Sequence, residues 1–275
     1  MKRVVLRTLL YLLLILGALI MVFPFYWMIA SSFKTAAEMN LFPPRMAPSN
    51  WFNFDNYVTA WHTAPFGTYF LNSIVVCFCS VGVVMFTTIL AAFAFSRLKF
   101  PGRDLLFTLL LSMMMIPFEL LVITNYQTMV KLGIYDTLYA LVLPFTSSIF
   151  YTYILRNFFM QIPESLEESA RLDGANNIQE FFYIVFPMIY PTFSTLFHTS
   201  VATIFTNQIN LYSMWGASAP SSTWTFGYYL YKEVSMAAEV RYPSLAALGI
   251  MMTFVAAPLT FFFKWLLRRV GPKVD

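Results

Sequence analysis

The chain carries thirteen acidic side chains in 275 residues, and five of them crowd into one short stretch. Glu164, Glu167, Glu168, Asp173 and Glu180 lie there, with Arg171 as the basic residue among them. Carboxylates so placed suit pairing with a basic partner. A different chemistry is offered by Glu119, the one acid well inside an apolar run, two residues after Pro117. Ionisable groups at membrane depth are costly and mark a pathway or a partner. Glu119 can accept hydrogen bonds from substrate hydroxyls, or sit protonated against a neighbouring helix. His198 lies near mid-depth in another apolar run, as a helix-packing donor or a pathway residue. Asn207, Gln208 and Asn210 cluster at that run's far end. Amides both donate and accept, which suits neutral polyols, although they also occur at ordinary helix ends.

Other chemistries lack their residues. There is no Gly-x4-Gly-Lys-Ser/Thr phosphate loop, so ATP is not held by that device. No His-Glu-x-x-His, Gly-x-Ser-x-Gly or clustered metal ligands occur, so neither a catalytic residue nor a metal or cofactor is expected. Cys77 and Cys79 are two residues apart, about 200° around a helix, and are expected to stay unpaired.

The elements that position these residues are membrane spans. The chain is 59% hydrophobic, 19% aromatic and only 11% charged, whereas soluble domains carry roughly 25% charged residues. An apolar run from Leu9 to Ala30 crosses about 30 Å of hydrocarbon and reads as an uncleaved first span. Further apolar stretches over 68–96, 104–129, 138–160, 181–209 and 245–267 lack strand alternation, and lipid otherwise admits only helices. The expected fold is an all-α polytopic membrane protein with six transmembrane helices. Pro24, Pro117, Pro144, Pro187, Pro191 and Pro258 lie within or at the ends of these spans. Twelve of the seventeen Lys and Arg fall on the side shared by both termini, which places the termini in the cytoplasm. The basic residues are scattered, so no nucleic-acid footprint is present. The proline- and tryptophan-rich segments 31–67 and 210–244 then face outward, with Trp51, Trp61, Trp215 and Trp224 either anchoring the interface or contacting an external protein. The expected divisions are a first span and outer loop over 1–66, a core over 67–268 and a short tail over 269–275.

Between the fourth and fifth spans, Pro163 opens a new element, and Ser165 to Glu168 ("SLEE") fits a capping box. Good helix formers continue to Asp173, and Gly174 supplies a left-handed stop. Asn176 or Asn177 caps a second helix, which runs into the fifth span as far as Pro187. Leu166, Ser169, Ala170 and Asp173 share one stripe whose centre is small, flanked by Glu164, Glu167 and Glu168. Such a helix can seat closely in a cleft, or it can merely join two spans.

The spacing narrows this choice. Glu168-Ser169-Ala170, three residues, Gly174, nine residues, Ile184, one residue, Phe186-Pro187 resembles the "EAA" signature of ABC importer permeases. Ser169 replaces the first alanine and Phe186 a leucine, each keeping the character of its site. The stretches "FPFYWMIASSFKTAAEM" (23–39), "AFAFSRLKFPGRDLLF" (92–107) and "IPESLEESARLDGA" (162–175) resemble the carbohydrate-type, maltose permease-like subfamily. The likeness weakens after Pro191. It implies a type I ABC importer permease fold, in which the loop at about 161–180 docks on a cytoplasmic ATPase. Glu168, Ser169, Ala170, Leu172, Asp173 and Gly174 are then the coupling residues. It further implies a multi-pass subunit of a bacterial cell membrane that is not itself an enzyme. The implied partners are a second homologous permease, two ATP-binding subunits, an extracytoplasmic solute-binding protein and a sugar substrate. A permease for another small solute, such as a glycerol phosphodiester or a polyamine, is the nearer alternative. A secondary transporter needs a relay of buried ionisable groups that one Glu and one His do not supply.

Overall fold

The computed structural model describes residues 2–206, 211–212, 215–235 and 241–272, and the regular structure among them is entirely helical. The chain divides into two compact units, residues 1–66 with 230–255, and residues 67–229 with 256–275.

In the first unit, α1 (Lys2–Ser32) is a continuous apolar rod that runs through Pro24. Its side chains are exposed along most of its length, as a lipid-facing helix requires. Segment 33–65 is ordered by polar bonds around two short helices, α2 (Ala36–Met39) and α3 (Asp55–Thr63). Lys34 is almost fully buried, donates to the Arg45 carbonyl at 2.6 Å and stands 3.9 Å above the Trp27 ring. Asn56 donates to the carbonyls of Ser32 and Lys34. Thr35 and Glu38 form a capping box on α2, and Glu38 also accepts from the Ser49 amide at 2.8 Å. Phe33 packs on Trp51, Phe54 and Tyr57, so this aromatic segment is folded as its composition predicts.

In the second unit, α4 (Phe66–Arg97) is continuous from Gly67 onward, whereas the expected third and fourth spans are each divided. The third gives α5 (Arg103–Met113), a turn, a 3-10 turn over Phe118–Leu121 and α6 (Val122–Lys131). The fourth gives α7 (Tyr139–Val142), a 3-10 turn over Leu143–Phe145 and α8 (Ile149–Gln161). Proline explains both breaks, because Pro117 and Pro144 lack an N–H and crowd the preceding turn. The second break is also capped: Ser148 Oγ accepts from the Tyr151 amide at 3.2 Å. After α9 (Glu164–Leu172) come α10 (Asn177–Glu180), a π turn over Phe181–Val185 and α11 (Phe186–Ala202). The helix therefore does not stop at Pro187. The wider π turn, closed by the Phe186 amide on the Phe181 carbonyl, lets the chain pass Pro187 and Pro191 without ending. The chain continues through α12 (Phe226–Ser235) and α13 (Tyr242–Val270).

Four helices among the described residues are long and apolar enough to cross a membrane: 3–32, 66–97, 178–202 and 242–270. Trp215 and Trp224 are not surface anchors, since both pack into an apolar cluster with Met129, Leu141, Leu211 and Tyr228. Trp51 and Trp61 are exposed.

Candidate functional site: a short exposed helix and a hydroxyl-lined cavity

Helix α9 starts where Pro163 sets φ to −61°, directly before Glu164. Ser165 is therefore already helical, and the expected SLEE capping box does not form. Its carbonyl instead accepts from Ser169 Oγ. The other end matches expectation closely. Gly174 has φ +89°, its amide donates to the Arg171 carbonyl, and the Ala175 amide donates to Ala170. These two bonds make a Schellman stop, which favours glycine because a left-handed residue strains any side chain. Apart from its chain neighbours, nothing lies within 4 Å of where a Cβ at Gly174 would stand, so backbone conformation and not crowding fixes the residue. Asn176 then caps α10, accepting from the amides of Ile178 and Gln179, while Gln179 accepts from the Asn176 amide.

The two adjacent glutamates of α9 part company. Glu168, Ser169, Leu172 and Asp173 are exposed, Leu172 at 88%, and Ala170 is half-buried. Glu167, expected on the acidic flank, turns inward and is 5% exposed. Its Oε1 lies 2.8 Å from Arg97 Nε at the end of α4, a contact of charges and not a well-aimed hydrogen bond. Arg97 Nη2 donates to the Ile162 carbonyl at 2.8 Å. Arg171 grips Glu180 in bidentate fashion, Nε to Oε2 at 2.7 Å and Nη2 to Oε1 at 2.8 Å, and lies 3.9 Å from Glu167. Burial pushes the Glu167 carboxyl up from its ordinary range; Arg97 pulls it back and nearby Glu180 adds to the rise. Beneath lies an apolar plug of Ala92, Leu155, Phe159, Ile162, Val185 and Ile189.

The second feature is a cavity of about 530 Å³ between α4, α8 and α11. Ser73, Cys77 and Ser80 line it from α4, Ser147 and Ser148 from the break before α8, and Thr199 and Ser200 from α11. Several hydroxyls donate to their own helix, as Ser73 does to Tyr69 and Thr199 to Thr195, and Ser73 Oγ also accepts from the Phe226 amide at 3.0 Å. Ser80 Oγ is buried without a partner. No charged side chain is among the described residues that line it. These lining residues were missed from the sequence, although Ser73, Cys77 and Ser80 recur at helical spacing on one face.

Of the other expected pathway residues, His198 alone has a described side chain. His198 is half-buried on α11 and is not among the residues lining the cavity. Glu119 stands in the 3-10 turn after Pro117, and its side chain lies outside the described residues. Asn207, Gln208 and Asn210 also lie outside them. Both cysteines are free, as expected.

Comparison with known proteins bears on the family and the fold. The family described as binding-protein-dependent transport system inner membrane component matches residues 84–275, which include α9 and most of the cavity wall. The chain belongs to this family. Among its relatives, the diacetylchitobiose uptake system permease protein NgcG of Streptomyces coelicolor is 33% identical over 65% of this chain and 59% of its own length. The polygalacturonan/rhamnogalacturonan transport system permease protein YtcP of Bacillus subtilis is 37% identical over 71% of this chain and 68% of its own. The chain thus spans about three fifths to two thirds of these curated relatives. A solved structure of a bacterial ABC transporter involved in the import of the acidic polysaccharide alginate superposes with a TM-score of 0.77 at 18% identity, over 98% of this chain and 97% of that one. A second, of the alginate transporter with an alginate pentasaccharide-bound periplasmic protein, gives a TM-score of 0.71 at 20% identity, over 98% and 97%. At such identities the likeness is one of fold. In this family the chain is a membrane-spanning ABC permease component.

Proposed function

We propose that this chain is one membrane subunit of an ATP-driven, binding-protein-dependent importer of a neutral saccharide. The family match across residues 84–275 carries the reading, because it includes a short helix that exposes Leu172, Glu168 and Asp173 with nothing of this chain covering them. In a membrane subunit, an exposed large apolar residue beside carboxylates on a connecting helix fits docking on a basic cleft of a cytoplasmic ATPase. Glu168 supplies charge, Ala170 and Ser169 close seating, Leu172 an apolar anchor, and Asp173 with Gly174 the turn. With the 161–180 loop and both termini on the cytoplasmic side, the divided third and fourth segments complete a six-segment core of type I importer form. The saccharide class is supported by the sugar-named relatives, and the choice of a neutral one by the cavity, whose described lining offers hydroxyls and no charge.

The cycle that fits these parts is alternating access. A solute-binding protein delivers sugar to a pair of permease subunits, this chain and a homologue. Closure of two ATP-binding subunits moves the docked helices, and the spans reorient so that the cavity receives the sugar. Hydrolysis on those partners resets the assembly, and this chain catalyses no step itself. The testing experiment extracts the chain in mild detergent from its native membrane, identifies the proteins that accompany it, and reconstitutes them in liposomes. Co-extraction of a second permease and a phosphate-loop protein, with ATP-dependent uptake of a neutral oligosaccharide, is the expected result. Uptake that needs only an ion gradient contradicts it, and uptake restricted to a phosphodiester, a polyamine or a uronate contradicts the substrate class.

A further inference from the structure

We infer that Arg97, Glu167, Arg171 and Glu180 form a charge clamp that makes α9 move as one body with the end of α4 and the start of the fifth span. The inference rests on the importer reading above and adds to it the parts that carry the motion inward. A docked helix transmits force only if it cannot pivot on its own loop. Helix α9 is short, and its ends are a proline and a left-handed glycine turn, so its backbone alone is a weak lever.

The clamp supplies what the backbone lacks. Glu167 reaches Arg97 on α4 at 2.8 Å, and Arg171 reaches Glu180 on α10 through two bonds. One helix is thereby tied to two spans, through the inward-turned Glu167 and the half-exposed Arg171. The two ties are themselves linked, since Arg171 also approaches Glu167 at 3.9 Å. The Arg97–Glu167 pair is at most 9% exposed on either side, so water screens it little, whereas Arg171 is 59% exposed and its grip on Glu180 relies on the bidentate geometry. Burying such a network is a poor route to stability, because desolvation offsets attraction, whereas breaking one partner leaves an uncompensated charge. A fixed orientation is what the arrangement provides. The apolar plug below it, with Leu155 and Val185 fully buried, joins α4, α8 and the π turn into one packed block.

The experiment compares Glu167→Gln with Glu168→Gln in the intact reconstituted importer, reading ATPase association and sugar taken up per ATP hydrolysed. Glu168→Gln is expected to weaken association. Glu167→Gln is expected to keep association and to lower uptake per ATP by about two- to thirtyfold, the range over which residues between coupled sites modulate coupling. The swapped pair R97E/E167R is expected to regain coupling, which a residue needed only for packing would not show. Unchanged uptake per ATP in Glu167→Gln, or loss of association equal to that of Glu168→Gln, overturns the clamp. Should the single variants fail to assemble, coupled uptake by the swapped pair supports the clamp, and its absence overturns it. Absence of ATP-driven uptake in the unmodified chain overturns the importer reading instead.

Discussion

Gly174 and Leu172 set opposite limits on how a residue of α9 can be changed. Gly174 holds φ +89° in open space, so Gly174→Ala should cost about 1–2 kcal/mol of turn stability through left-handed strain alone. Gly174→Val adds β-branching to that strain and should abolish ATP-driven uptake while membrane insertion persists; uptake at the normal rate in that variant contradicts the docking role. Leu172 is 88% exposed, so Leu172→Asp removes no packing within this chain. Its expected effect is loss of ATPase association with no change in thermal unfolding of the isolated permease. At this scale the sequence was largely sufficient where local backbone rules decide, as at Gly174 and the Asn176 cap. It misled at Ser165, because Pro163 already fixes the helix start, and at Glu167, whose partner Arg97 lies seventy residues earlier in the sequence. Long-range pairing of this kind leaves no local trace.

At the scale of elements, six prolines in apolar runs have three different outcomes. Pro24, Pro191 and Pro258 sit inside continuous helices, Pro187 follows a π turn, and Pro117 and Pro144 coincide with breaks. The difference lies in what takes up the freed backbone groups. At the Pro144 break, the Thr146 carbonyl accepts from Thr87 Oγ1 at 2.6 Å and Ser148 caps the next helix. Irregular backbone at membrane depth is tolerated where it lines a cavity or is buried in protein, and this break lines the cavity. Hydropathy reports the apolar stretch but not its interruption, which is why spans three and four read as continuous. Ser148→Ala should cost about 1 kcal/mol through loss of the cap, measured as lowered thermal stability in detergent. Ser80→Phe should fill cavity space and suppress sugar uptake while ATPase association stays intact; unaltered uptake would remove the cavity from the pathway.

For the molecule as a whole, charge is handled differently in segment 33–65 and around α9. In segment 33–65 the Glu38 carboxyl is held down to about 2, from an ordinary 4.5, chiefly by the Ser49 hydroxyl and the Thr35 amide. Its folded value lies below its unfolded one, so it contributes stability above pH 4.5 that disappears as pH falls from 4.5 towards 2. Trp51 fluorescence should report loosening of this segment across that window, and Glu38→Gln should flatten the dependence there. The all-helical membrane class and the short helix that ends at Gly174 were legible in composition and spacing. The cavity was not, because it is assembled from hydroxyls on three distant segments, each unremarkable alone.

The most direct test of the central claim, that α9 is the seat of a separate ATPase, is a photo-crosslinking residue placed at Leu172 in cells that express the whole transporter. The account predicts a single major adduct with a phosphate-loop protein, lost when Glu168 and Asp173 are both neutralised. Adducts with lipid alone, or the same yield from a probe at Phe52 in segment 33–65, would contradict it.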